Sequence, residues 1–228
     1  MQEKLKVIAR IHTDFNEKFG IPSQSGLVST LESRIVFEPQ YRNSDALRGI
    51  EEFSHLWLIW GFSETPESDK FMPTVRPPRL GGNKKMGVFA TRSPFRPNPL
   101  GLSSVKLLRL ENTNEGTVLV VSGADMLSGT PIYDIKPYLP YTDIHENAKG
   151  GFGSEKLSYK LEVEFPKALL SKIPENKREG LIELLSEDPR PSYIEDEERV
   201  YGFKFAEFEI KFKVKGNILT VTEVIKEK

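Results

Sequence analysis

The sequence predicts a mainly β protein: an antiparallel β-barrel over residues 1–146, followed by a small α+β domain over residues 147–228. Three observations carry this. Short strand-like runs recur through the first part without long helices between them, and each parallel crossover would need roughly a dozen residues or more. Evenly spaced short strands of this kind lose their exposed edges by closing into a barrel. A tract of small residues, Asn147-Ala148-Lys149-Gly150-Gly151-Phe152-Gly153-Ser154, then separates the strands from helix-patterned residues and reads as a linker.

Taken in order, Leu5 to Thr13 alternates as a strand, and a loop with Gly20, Pro22 and Gly26 follows. Ser33 to Phe37 is a second strand, and Ser44 to Gly49 is one helical turn capped by Ser44. The apolar, aromatic-rich run Phe53 to Phe62 predicts a strand buried on both faces. Leu100 to Leu110 and Thr117 to Ala124 pair around the turn residues Asn112 to Gly116, and Ser128 to Tyr138 holds a further short strand. After the linker come a strand over Lys156 to Phe165 and helical pieces, the second with Leu181, Ile182, Leu184 and Leu185 on one side. The hairpin of Tyr201–Val214 and Ile218–Val224 shifts the phase of its phenylalanines, which predicts a bulge near Ala206.

Composition narrows the function. The 32 basic and 33 acidic residues give a net charge of −1, which excludes a general polycation. Yet Lys70 to Arg109 carries nine Lys or Arg and no Asp or Glu, so an anionic partner would bind locally. Within that stretch Arg76-Pro77-Pro78-Arg79 and Arg92-Ser93-Pro94-Phe95-Arg96-Pro97 alternate guanidinium groups with prolines, which stiffen the loops and hold their arginines. The chain has no cysteine, which excludes disulfides and thiolate chemistry, and its three histidines lack metal-ligand spacing, so no metal is expected. No signal core and no membrane-spanning run is present, which predicts a soluble, cytoplasmic protein with no membrane partner. No Walker loop, HExxH or GxSxG is found. His55, inside the apolar run, reads as a buried, satisfied histidine. Asp125, Asp134 and Asp143 stand at nine-residue spacing, and a turn-capping role accounts for at least one of them.

The strings Val75 to Asn83, Met86 to Gly101 and Gly129 to Pro140, with Phe53 to Trp57 and Asp188 to Tyr193, resemble the TsaA-like family, which includes bacterial tRNA methyltransferases of the TrmO type. The resemblance implies an S-adenosylmethionine-dependent enzyme that methylates N6 of threonylcarbamoyladenosine beside the tRNA anticodon, acting as a homodimer. It implies a cofactor site drawn from Ser23, Gln24 and Ser25, from Ser63 and Glu64, from Arg92 and Leu102, and from Ser128, Gly129, Thr130 and Pro131. Ser25 stands where the family favours proline, and Ser128 where an acidic residue is frequent. For the catalytic base Asp134 is the first choice and Asp125 the second, with Tyr138 orienting or stacking. The tRNA phosphates would track along Arg76, Arg79, Lys84, Lys85 and Arg96. The alternatives are a non-catalytic RNA-binding module on a nucleotide-binding barrel, or another enzyme on the same scaffold.

Overall fold

A computed structural model describes residues 5–65, 70–77, 84–152, 159–190 and 196–227. Twelve strands and three short helices are assigned among them. Strands β1 (Ala9–His12), β2 (Glu32–Phe37), β3 (His55–Gly61), β6 (Leu100–Thr113), β7 (Gly116–Ser122) and β8 (Thr130–Pro137) run in the spatial order β1-β2-β7-β6-β3-β8, all pairs antiparallel. β8 also pairs with β1, so the sheet closes on itself. The two-residue strands β4 (Thr74–Val75) and β5 (Met86–Gly87) form a separate ribbon.

Alternation places Leu56, Leu58 and Trp60 of β3 inward beside Val105 and Leu107 of β6 and Ile132 of β8. The other side of β3 is only half covered, at His55, Trp57 and Ile59, so the expected two-sided burial is corrected. His55 likewise is half-buried and shares a hydrogen bond with the Ser54 hydroxyl. Short 3-10 turns at Pro39–Tyr41, Ser44–Leu47 and Ile50–Glu52 pack Tyr41, Leu47 and Ile50 against this core. The cap of the middle turn is Asn43, whose side chain accepts the Asp45 N–H at 3.0 Å, rather than Ser44.

The second core is mostly sheet, a correction to the α+β expectation. β10 (Tyr201–Phe205), β11 (Phe208–Lys215) and β12 (Ile218–Lys226) are antiparallel neighbours, and β9 (Glu162–Glu164) joins β12 in parallel. Helix α1 (Pro140–Asp143) follows β8, and α2 (Lys167–Leu170) and α3 (Glu175–Ser186) follow β9. Leu181, Leu184 and Leu185 of α3 are buried, whereas Ile182 is half-buried, being displaced about 100° around the helix from Leu181. Ala206 is no bulge. Phe205 pairs with Phe208, so Ala206 and Glu207 form a two-residue turn in which Ala206 takes φ 51°, and the phase of the phenylalanines shifts because the chain reverses. The irregularity lies instead between Lys211 and Phe212 against β12.

Phe15, Val28 and Leu31, from the segment between β1 and β2, are buried in this second core. Polar contacts also bind that segment to α3. Glu183 Oε2 accepts from Ser29 N at 3.0 Å and from the Thr30 hydroxyl at 2.9 Å, and Lys177 Nζ lies 2.6 Å from Asp14. Residues 153–158 and 191–195, which include parts of the expected linker, strand and Asp188–Tyr193 string, lie outside the described residues.

Candidate active site

At the end of the barrel where β3 finishes and β6 begins, a cavity of about 550 Å³ opens. Its wall combines the loop before β2 (Ile21, Pro22, Ser23, Gln24), the exit of β3 (Trp60, Phe62, Ser63, Glu64), the Arg-Pro loop (Arg92, Pro94, Phe95, Arg96) and the start of β6 (Gly101, Leu102, Ser103). Asp125, Met126 and Leu127, from the connection between β7 and β8, Thr130 at the start of β8, and Lys18 and Trp57 also line it. Gly26 N donates to Gly123 O at 2.9 Å, and Gly123, at φ 83°, lets the two backbones meet. That contact seats the first loop against the end of β7.

Gly101 faces Trp60 across the β3–β6 pair, and a Cβ there would overlap the indole. The bare backbone lets Trp60 lie flat over β6, with Nε1 donating to Ser103 Oγ at 2.9 Å. Ser103 in turn donates to Asp125 Oδ1 at 2.6 Å. Burial pushes the Asp125 carboxyl above the usual carboxylate range, opposed by the Ser103 hydroxyl, by backbone N–H groups of Asp125 and Ser25, and by the Arg92 charge. The cavity therefore has an acidic group that holds its proton more strongly than a free aspartate, anchored through Ser103 to the buried indole.

The charged rim is organised too. Arg92 donates to the Gln24 side chain, and Lys18 Nζ donates to the Glu64 carbonyl at 2.7 Å while lying 3.6 Å from its carboxylate. Trp57 Nε1 donates to Asp143 Oδ2 at 2.8 Å, and its ring lies 5.5 Å from that of Tyr138. The N–H of Leu139, followed by that of Trp57, holds the Asp143 carboxyl below its ordinary range.

Of the residues expected in the cofactor site, the cavity wall brings together Ser23, Gln24, Ser63, Glu64, Arg92, Leu102 and Thr130. Ser25 touches it through the bond of its N–H to Asp125. Ser128 and Gly129 bond instead to β1 and the residues just after it: their N–H groups donate to Phe15 O and Ile11 O, and Pro131 sits opposite Arg10. Asp134 is not part of the wall. It lies on β8 opposite Ile59, 2.9 Å from Lys136 Nζ, and accepts the Ile135 N–H. Tyr138 is not part of the wall, and its ring lies against Trp57, which is.

Of the expected phosphate contacts, only Arg96 lines the cavity; Arg76, Lys84 and Lys85 are exposed on and beside the β4–β5 ribbon, and Arg79 lies outside the described residues. Sequence reasoning missed Lys18, Trp57, Trp60, Phe62 and Ser103. Ser103 carried a readable signal, a polar residue at an inward position between Gly101 and Val105. Among the described residues no group of His, Asp and Glu could hold a metal, and no helix is long and apolar enough to cross a membrane.

Comparison with known families is decisive. Residues 10–144 match the model of the tRNA-methyltransferase O N-terminal domain, and residues 158–227 that of the TrmO C-terminal domain. The chain belongs to the tRNA-methyltransferase O family. It is 39% identical over 215 residues to a tRNA (adenine(37)-N6)-methyltransferase of Escherichia coli, covering 91% of each chain. It is also 39% identical over 155 residues to a probable S-adenosyl-L-methionine-binding protein of Pyrococcus abyssi, covering 68% of this chain and 78% of that one. The solved crystal structure of TrmO from Pseudomonas aeruginosa aligns with TM-score 0.79 at 30% identity, over 99% of this chain and 98% of that one.

Proposed function

We propose that this chain is a tRNA methyltransferase that uses S-adenosylmethionine to methylate the exocyclic N6 of an adenine beside the anticodon, in its threonylcarbamoyl form. The observation that carries the reading is the cavity of about 550 Å³, lined by Arg92, Glu64 and Trp57 together with the Trp60–Ser103–Asp125 chain. Family membership and the relatives above support it.

The residues present fit this cofactor. A volume of this order lies within the roughly 300–1,000 Å³ typical of small-molecule sites. Arg92 offers a guanidinium for the methionyl carboxylate, and Glu64 and Gln24 offer acceptors for ribose hydroxyls or an amino group. Trp60, Phe62 and Leu102 supply apolar surface for the adenine. When bound, S-adenosylmethionine supplies an electrophilic methyl group, so transfer forms one N–C bond, breaks one S–C bond and releases the N6 proton.

The chain's own residues have two tasks. The first is alignment in a largely apolar pocket, where fixed geometry replaces random encounter. The second is proton removal, because an acylated N6 has its lone pair delocalised into the neighbouring carbonyl and is a poor nucleophile. Asp125 is assigned this task in place of Asp134, since it reaches the cavity and its raised affinity for protons suits a general base. Tyr138 acts through Trp57, as a support for the wall. A homodimer belongs to the same reading, as does a division of the chain at residue 146, with the segment before β2 joining the second core.

The test is direct. The purified protein is incubated with S-adenosylmethionine and an anticodon stem-loop carrying either adenosine or threonylcarbamoyladenosine, and the nucleosides are analysed by mass spectrometry. A methyl group gained on the modified nucleoside is expected. The absence of a product, with no saturable cofactor binding by calorimetry, would overturn the proposal.

A further inference from the structure

Beside the cavity, Phe71 and Phe89 are 53% and 71% exposed, yet their rings lie stacked, with centroids 6.1 Å apart and planes 26° from parallel. Two large apolar side chains held together in water are costly unless something covers them. Their support is built. Val88 is buried and its N–H donates to Pro73 O at 2.9 Å, which ties the two segments carrying the phenylalanines. The Thr91 hydroxyl donates to Val88 O at 2.8 Å. The Arg96 guanidinium lies 6.0 Å from the Phe89 ring centre and also lines the cavity, so the aromatic pair continues into the candidate active site.

The surroundings select the partner. Both rings lie within the forty-residue stretch that contains nine cations and no carboxylate. Exposed aromatic rings with an arginine at their edge, and with Arg76, Lys84 and Lys85 exposed beside the same β4–β5 ribbon, match the chemistry of unpaired nucleic acid: bases stack on the rings while cations follow the phosphates. A duplex, whose bases are already stacked, cannot use the rings in this way. We infer that Phe71 and Phe89, flanked by Arg96, form a stacking platform for unpaired bases of the RNA substrate next to the base that enters the cavity. This rests on the tRNA reading above and adds to it the residues that recognise the single-stranded loop.

The test compares the unaltered protein with Phe71→Ala/Phe89→Ala, Phe89→Leu and Phe89→Trp. Binding of a fluorescent anticodon stem-loop is followed by anisotropy, with a fully paired RNA duplex as control. Alongside it run S-adenosylmethionine calorimetry and sedimentation velocity. The double variant is expected to lose roughly 10-fold or more in stem-loop affinity. Phe89→Leu should weaken binding and Phe89→Trp preserve it, while duplex binding, cofactor affinity and sedimentation stay unchanged. Unchanged stem-loop affinity overturns the platform, as does an equal loss for the duplex. A changed sedimentation coefficient also overturns it, because the face then joins two copies of the chain. No stem-loop binding by the unaltered protein overturns it together with the tRNA reading. Failure of the methyltransferase reading alone looks different: the unaltered protein binds the stem-loop and transfers no methyl group.

Discussion

The hydroxyl of Ser103 donates a 2.6 Å hydrogen bond to the Asp125 carboxylate, and the same oxygen accepts the N–H of Trp60. Ser103→Ala removes a bond that stabilises the ionised form of Asp125 and leaves the indole N–H unpaired. A hydrogen bond to a charged group contributes about 1.5–3 kcal/mol. The acid limb of the methyl-transfer pH profile should therefore move to higher pH, with the rate lowered along that limb. Threonine at 103 should restore much of the rate, and an unmoved acid limb would remove Ser103 from this role.

Asp125→Asn separates catalysis from stability. Folding raises the proton affinity of Asp125, so its contribution to stability is fully present below the ordinary Asp value of about 3.9 and is lost as pH rises through the folded value. The asparagine variant has no such loss. Urea midpoints should coincide for the two proteins at low pH, and the variant should be the more stable of the two at neutral pH. Its turnover should fall by about 10²–10⁴, with cofactor affinity largely kept.

Gly101→Ala should cost about 1–3 kcal/mol, because the new methyl group collides with the Trp60 ring. Trp57 and Trp60 are the chain's two tryptophans and both line the cavity, so emission reports on that cavity. Guanidinium unfolding should show the loss of stability, and S-adenosylmethionine titration the loss of a saturable fluorescence change.

Charge near the cavity and charge beyond it should behave differently. Alanine at Arg76, Lys84 or Lys85 is expected to weaken RNA binding and to reduce the slope of log K against log salt by about 1 each. Arg92→Ala should weaken the cofactor instead and leave that slope nearly unchanged. Anisotropy across a salt series, with calorimetry, reads both effects.

Glu183→Ala strips the acceptor from Ser29 N, Thr30 N and the Thr30 hydroxyl. The loss should be about 1–3 kcal/mol in thermal or chemical unfolding. Since this carboxylate ties down the segment that carries Ser23 and Gln24, cofactor affinity should fall as well.

Much of the barrel was legible because strand alternation, turns and loop stiffness are local properties. The β6–β7 hairpin and the Arg-Pro loop appear where composition placed them, and Arg92 and Glu64 do reach one cavity. Phase shifts were harder to interpret. A bulge and a chain reversal both change the alternation of phenylalanines, and only the pairing of Phe205 with Phe208 distinguishes them at Ala206.

By itself the sequence determined a β-rich chain with one cation-rich stretch, proline-stiffened arginines and the motifs of its family. The tertiary structure decided which of two aspartates nine residues apart meets the cavity. Asp125 reaches Ser103 from the connection after β7, whereas Asp134 lies on β8 opposite Ile59, and both placements follow from strand pairing between segments distant in the chain. Register is a long-range property, and no local pattern encodes it.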